Sequence, residues 1–156
     1  MTERKNRNRK PMPMRRLGRQ WAIQYLYRQD LGGDQDLSSQ EDLFWQQVTE
    51  SHPDLTDKEV KKIQHHAESL ITGVQPNIEV YDKLIQETAK NWDLDRIATI
   101  DRNILRLAIF EIRSLEDVPS AVAIDEALEL SKILGEGEES RSFINGILDR
   151  IANQSS

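Results

Sequence analysis

Residues 101–115, DRNILRLAIFEIRSL, are apolar around most of the circumference when they are read as a helix. The apolar side chains are Ile104, Leu105, Leu107, Ala108, Ile109, Phe110, Ile112 and Leu115. Only a narrow polar ridge is left, and it carries Arg102, Arg106 and Arg113. A helix with so little polar surface must be surrounded by other elements. The sequence therefore predicts a fold built around this central helix, with Asp101 as its N-cap.

Glu111 is the exception inside the apolar arc of the central helix, where it is flanked by Leu107 and Leu115. An unpaired carboxylate is too costly to bury in a protein core. We therefore interpret Glu111 as a carboxylate that is paired in the core and orients a neighbouring helix. A functional acid is the alternative interpretation.

The rest of the chain also favours helices. Helix-forming residues dominate, and only seven glycines and five prolines occur in 156 residues. This length suits one domain with its own core. We predict an all-α fold, a single compact bundle of about seven helices around the buried central helix. Residues 1–13 are predicted to be a basic, disordered arm that precedes the helical domain of residues 14–156.

Charge is distributed unevenly along the chain. Residues 1–28 contain nine lysines and arginines against one acid, Glu3, a net charge of +8 that leaves −14 for residues 29–156. A basic head favours an anionic partner, and an acidic body favours a basic partner. A solubilising tail is the alternative explanation of the basic head.

Few groups in the sequence are candidates for catalysis or metal binding. The absence of cysteine excludes disulfides and thiol catalysis and suits a cytoplasmic protein. The adjacent His65 and His66 point in different directions on a helix, so we interpret them as a solvated face. Asp125, Glu126 and Glu129 cluster on one helix side, but no phosphate loop or nucleophile accompanies them. We therefore predict no enzymatic activity, no cofactor and no metal. We also predict no membrane partner, since no apolar run approaches the roughly 20 residues that span a bilayer.

The helix predicted for residues 14–30 combines basic and aromatic side chains. Single-stranded RNA is bound by basic groups on its phosphates and by aromatic rings on which its bases stack. Arg15, Arg16 and Arg19 supply the basic groups, and Tyr27 supplies a ring on the polar stripe that also holds Arg16. Basic amphipathic helices also bind membranes and proteins, so the pattern alone leaves the partner open.

Four segments resemble the family of NusB-type transcription antitermination factors. The opening helix matches through Arg15, Arg16, Arg19, Ala22, Leu26 and Tyr27, and the central helix matches through Asp101, Arg102, Ile104, Leu105, Arg106 and Glu111. The other two segments are VPSAVAIDEALELSKILG, residues 118–135, and FINGILD, residues 143–149. They follow one another in the family's order from about residue 14 to residue 152. Asp125 departs from the Asn usual in the family, and both the N-terminal arm and residues 31–55 are longer than is typical.

The resemblance implies a helical factor that binds single-stranded boxA-type RNA of ribosomal RNA leader transcripts. Such factors bind together with NusE, a small-subunit ribosomal protein, in an antitermination complex on RNA polymerase. The RNA-binding residues carried over are Arg15, Arg16, Arg19, Tyr27, Ser140, Arg141, Ser142 and Phe143. The NusE-binding residues carried over are Asp95 and Asp101, so we expect the RNA and the protein to use different surfaces.

Two alternatives from other classes accompany this prediction. The domain also resembles the N-terminal module of certain ribosomal RNA cytosine methyltransferases, but those enzymes need a cofactor-binding domain that 156 residues cannot also hold. The other alternative is a non-enzymatic protein-interaction or homodimeric helical scaffold. A scaffold should function equally well without the N-terminal arginines. RNA affinity therefore distinguishes a scaffold from an RNA-binding factor.

Overall fold

A computed structural model describes residues 13–32, 38–90 and 97–154, with residues 38 and 39 described by their backbone alone. The elements are α1 (Met14–Gly32), α2 (Ser38–Glu50), α3 (Asp57–Val74), a 3₁₀ turn (Gln75–Asn77), α4 (Ile78–Thr88), α5 (Thr99–Ser114), α6 (Ser120–Leu134) and α7 (Glu138–Gln154). The described ranges contain no strand, and the all-α prediction is confirmed. The predicted arm lies, except for Pro13, outside the described residues.

The centre of the bundle is α5, as the sequence predicts. It contacts α1, α3, α4, α6 and α7, and the side chains of Leu105 and Ile109 are completely buried. The predicted N-cap is wrong, because α5 begins at Thr99 with Ala98 in the cap position. Asp101 therefore lies within the first turn and is itself buried.

Arg106 does not lie on a solvent-facing ridge of α5. Its guanidinium is 3% exposed and donates to the carboxylate of Asp82 at 2.7 and 2.6 Å and to Asp30 at 2.7 Å. Helical periodicity misplaced Arg106 because it could not show that α1 and α4 bring carboxylates to that side. The arginine consequently ties three helices together, while Arg113 is exposed as predicted.

α3 begins with a capping box and closely approaches the central helix near its C-terminal end. Thr56 and Glu59 form a capping box, in which each backbone N–H donates to the other residue's side chain at 3.0 and 3.1 Å. Gly73 does not end the helix, which continues to Val74. The ring of Phe110 on α5 instead occupies the space that a Cβ at position 73 would need, so this glycine lets α3 approach α5 closely.

A cluster of rings packs α2 against α1. Tyr25, Phe44 and Trp45 lie with ring centroids 5.0 to 5.9 Å apart, and Trp21 adds a fully buried indole. Aromatic pairs at such distances add to the stabilisation gained from burial. Within the ranges that the structure describes, every helix is too short or too polar to cross a membrane.

Candidate nucleic-acid interface

Arg16, in the first turn of α1, lies at the contact between α1 and α6. Arg16 is turned toward α6, where its Nε and Nη2 donate to Glu126 at 2.8 and 3.0 Å. This hydrogen-bonded pair raises the pKa of Arg16 and lowers the pKa of the Glu126 carboxyl. The pair lies in an open groove of about 600 Å³ that Arg141 and Lys132 also line. Three cationic side chains from α1, α6 and α7 thus line the same groove as the carboxylates of Asp125, Glu126 and Glu129.

Arg19 is not on the surface, contrary to the prediction that it contacts RNA. Its side chain is 6% exposed and its Nε and Nη2 donate to Glu111 at 2.8 and 2.9 Å. The turn of the helix places Arg19 against α5, where the buried carboxylate of Glu111 needs a partner. The interpretation of Glu111 as a paired core carboxylate is confirmed, and Arg19 is the basic side chain that pairs with it.

Tyr27 lies on the same stripe of α1 as Arg16, about three helical turns further along. Its side chain is partly exposed, in contrast to the fully buried Leu26 beside it. A partly exposed aromatic ring is the kind of group on which a nucleic-acid base can stack.

The predicted RNA-binding segment of residues 140–143 lies in the first turns of α7. The connection from α6 contains Gly137, whose φ of +127° is a conformation that L side chains rarely adopt. Ser142 is exposed, and Ser140, Arg141 and Phe143 are partly buried. The Phe143 ring packs against the core and also lines an open cavity at the start of α5, so it is shared between core and rim.

Asp101 lies in that same cavity, which has a volume of about 600 Å³. Asp101 is 4% exposed, and its Oδ1 has no hydrogen-bond partner among the described residues. Burial raises the pKa of Asp101 above its ordinary value, and the Ser140 side chain, which favours the charged form of the carboxyl group, lowers that pKa in part. The other predicted partner residue, Asp95, lies outside the described residues.

Residues predicted to bind RNA and a residue predicted to bind NusE lie side by side at the Asp101 side of the molecule. Asp101 shares one cavity with Ser140, Ser142 and Phe143 of the segment of residues 140–143. Glu136 and Glu139 add negative charge to the lining of this cavity. The α5–α7 junction therefore combines an acidic pocket with an aromatic rim.

Two features of the surface were missed from the sequence. Glu126 was interpreted only as part of an acidic cluster, yet it is the hydrogen-bond partner of Arg16. His66 was placed on a solvated face, but its ring is half-buried against Gly18 of α1, where an added Cβ would lie 2.6 Å from Cδ2. A glycine on the buried face of α1 was the available signal for this close approach. Across the described ranges, no group of three or more His, Asp or Glu side chains could hold a metal ion.

Comparison with known proteins decides the family. The sequence model of the NusB family matches residues 16–153. The chain belongs to the NusB family. A transcription antitermination protein NusB from Myxococcus xanthus is 41% identical over 141 residues, which cover 90% of this chain and 96% of that protein.

Two solved structures of the NusB family have the same fold. T. maritima NusB is 33% identical and superposes with a TM-score of 0.68, covering 93% of this chain and 94% of that one. A crystal structure of the antitermination factors NusB and NusE in complex with dsRNA gives a TM-score of 0.70 at 26% identity, over 92% of this chain and 99% of that one.

Proposed function

We propose that this protein is a transcription antitermination factor that binds single-stranded boxA-type RNA of ribosomal RNA leader transcripts together with NusE. It acts in the cytoplasm as part of a complex on RNA polymerase, by binding and not by catalysis. The observation that carries this proposal is the match to the NusB family over residues 16–153. A relative of the same fold that was solved with NusE and dsRNA supports NusE and RNA as the proposed partners.

The proposed RNA surface runs from the first turn of α1 to the start of α7. Guanidinium groups of Arg15, Arg16 and Arg141 contact phosphates, and Tyr27 and Phe143 provide rings for stacking. Ser140 and Ser142 are the polar neighbours of Phe143 in this surface. Arg19 is left out, because its guanidinium is buried and engaged by Glu111.

The proposed NusE surface is the acidic opening of the cavity beside Asp101. Glu136 and Glu139 line this cavity, and residues 29–156 carry a net charge of −14. A basic ribosomal protein is attracted to such a surface. Asp95 is expected to contribute from the connection that precedes α5.

The test is RNA binding measured over a range of salt concentrations, with and without NusE. Each phosphate neutralised on a single strand contributes about −0.7 to the slope of log K against log salt. With Arg15, Arg16 and Arg141 engaged, we expect a slope of about −2. Arg15→Gln with Arg16→Gln should flatten this slope, whereas Arg113→Gln, on an exposed arginine near the end of α5, should not.

The alternative scaffold gives the opposite result. A protein-interaction or homodimeric scaffold has no RNA affinity that depends on salt, and it is unaffected by loss of Arg15 and Arg16. Binding of NusE without any RNA affinity in either protein would therefore contradict the proposed function.

A further inference from the structure

We propose that Arg15, Lys62 and His66 form a second phosphate-binding site for the RNA backbone, in a groove between α1 and α3. This inference rests on the proposed RNA-binding function and extends the RNA surface from Arg15 to Lys62 and His66, on another side of α1. Whereas Arg16 is turned toward α6 and Glu126, Arg15 lines the groove toward α3. The first turn of α1 therefore carries cationic groups into two grooves at once.

The groove consists of two adjoining open cavities of about 280 and 310 Å³. Arg15 and His66 line both cavities, so they mark the junction. Lys62 lines the outer cavity beside Met14, and Ser69 lines the inner one. A phosphate group at the junction would have a guanidinium, an ammonium and an imidazole around it.

The charges that face His66 come from every element packed around it. They are Arg15 and Arg19 on α1, Lys62 and His65 on α3, Glu111 on α5, and Asp117 in the connection between α5 and α6. Arg19 and Glu111 neutralise each other in their buried pair. Arg15 and Lys62 then outnumber Asp117, which leaves the groove positive. The first turn of α1 contains no acidic residue, so nothing there opposes an anion at that helix end.

His66 brings a half-buried imidazole to the junction of the two cavities. Its Nε2 is buried and has no hydrogen-bond partner within the described part of the chain. Burial lowers the pKa of His66, and the positive charges of Arg19 and Arg15 lower it further. A phosphate would accept a hydrogen bond from the ring and offset those positive charges. Phosphate binding should therefore raise the pKa of His66 and be accompanied by proton uptake.

The first experiment compares two lysines that neighbour each other on α3. Lys62 lines the groove, and Lys61 is exposed but does not line it. Lys62→Gln should weaken RNA binding about five-fold at about 0.1 M salt and flatten the salt slope by about 0.7, the share of one phosphate on a single strand. Lys61→Gln removes the same charge from the same helix and should leave both quantities unchanged.

The second experiment observes His66 directly by NMR titration of its ring signals. Adding a boxA-type RNA should raise the pKa of His66, and RNA affinity should increase as the pH falls from about 8 to about 6. His66→Gln should remove that pH dependence while leaving the contribution of Arg16 in place. Inorganic phosphate serves as the comparison probe, because it distinguishes a free anion from the RNA backbone.

The outcomes separate this site from the proposed function. If wild-type protein binds RNA but Lys62→Gln matches Lys61→Gln and the His66 signals do not move, the site is overturned and the proposed function stands. If wild-type protein binds no RNA, both fail. If inorganic phosphate moves the His66 signals but RNA does not, the groove holds a free anion and the RNA contact is overturned.

Discussion

The guanidinium of Arg19 on α1 faces the carboxylate of Glu111 on α5 through two parallel hydrogen bonds of 2.8 and 2.9 Å. Both side chains are almost completely buried, at 6% and 3% exposure. This bidentate geometry fixes the direction of α1 against the central helix. Arg16, one turn earlier, makes the corresponding pair with Glu126 at the surface. The two pairs set the orientation of α1, which carries the proposed RNA surface.

Breaking the buried pair from one side should strongly destabilise the fold. Glu111→Leu removes both hydrogen bonds of the buried Arg19 guanidinium and leaves it only the longer contact of 3.7 Å to Glu126, so the free energy of unfolding should fall by about 3 kcal/mol. The double variant Arg19→Met with Glu111→Leu should recover most of that loss, because no unpaired charge is left. Urea unfolding monitored by circular dichroism measures the free energy of unfolding of the single and the double variant. A double variant as unstable as Glu111→Leu would contradict this account.

Removing the negative charge of Glu126 should strengthen RNA binding. Its carboxylate occupies the Arg16 guanidinium that a phosphate would use. Glu126→Gln should therefore raise RNA affinity by up to about 1 kcal/mol, the usual upper limit for a partly exposed ion pair. Glu129→Gln is the matched control, because Glu129 pairs with Lys132 at 3.3 Å and acts on Arg16 only through space. Weaker RNA binding by Glu126→Gln would mean that the carboxylate orients Arg16 and does not compete with RNA.

The two aromatic side chains should contribute differently to RNA binding and to stability. Tyr27→Ala should cost about 1–3 kcal/mol of RNA binding through lost stacking, with little change in melting temperature. Tyr27→Phe keeps the ring and should bind nearly as well. Phe143→Ala should lower both RNA affinity and melting temperature, because its ring also packs against the core. A Tyr27→Ala protein that loses stability but keeps its RNA affinity would place the ring in a structural role.

A methyl group at position 73 should destabilise the bundle. The added Cβ of Gly73→Ala would collide with the Phe110 ring, and overpacking of a core typically costs about 1–3 kcal/mol. Gly146→Ala is the matched control, since Gly146 is also helical but a Cβ there would have no neighbour within 4 Å. That change should instead stabilise α7 by about 0.5–1 kcal/mol. In thermal unfolding, the melting temperature should therefore fall for Gly73→Ala and rise for Gly146→Ala.

Asp101 should destabilise the folded protein at neutral pH. Burial raises its folded-state pKa, so the charged form is penalised above that pKa, and the penalty disappears as the pH falls through it. Asp101→Asn keeps an oxygen for the Ser140 hydroxyl and removes the charge. It should raise the free energy of unfolding by about 1 kcal/mol at pH 7, with the gain shrinking toward acidic pH. A gain in stability that is independent of pH would contradict the destabilising role of the Asp101 charge. The same variant should also bind NusE more weakly when binding is measured by calorimetry.

The sequence by itself determined the secondary structure and the centre of the fold. Apolar residues around most of residues 101–115 required a surrounded helix, and α5 is that helix. The Thr56 and Glu59 capping box depends only on a spacing of three residues, because both partners are local in sequence. The need for a partner at Glu111 was also predictable, because burial of a carboxylate has the same physical cost in any fold.

Only the tertiary structure decided which side chains pair and which stay available. Arg16 and Arg19 look alike in the sequence, yet Arg19 is in the core and Arg16 is at the surface, because α5 and α6 present carboxylates at different depths. Arg106 is buried because Asp30 and Asp82 converge on it from α1 and α4. The His66 ring lies against α1 because Gly18 leaves room for it. Helical periodicity gives the direction of a side chain around its own axis, but burial and pairing depend on what the neighbouring helices place opposite it.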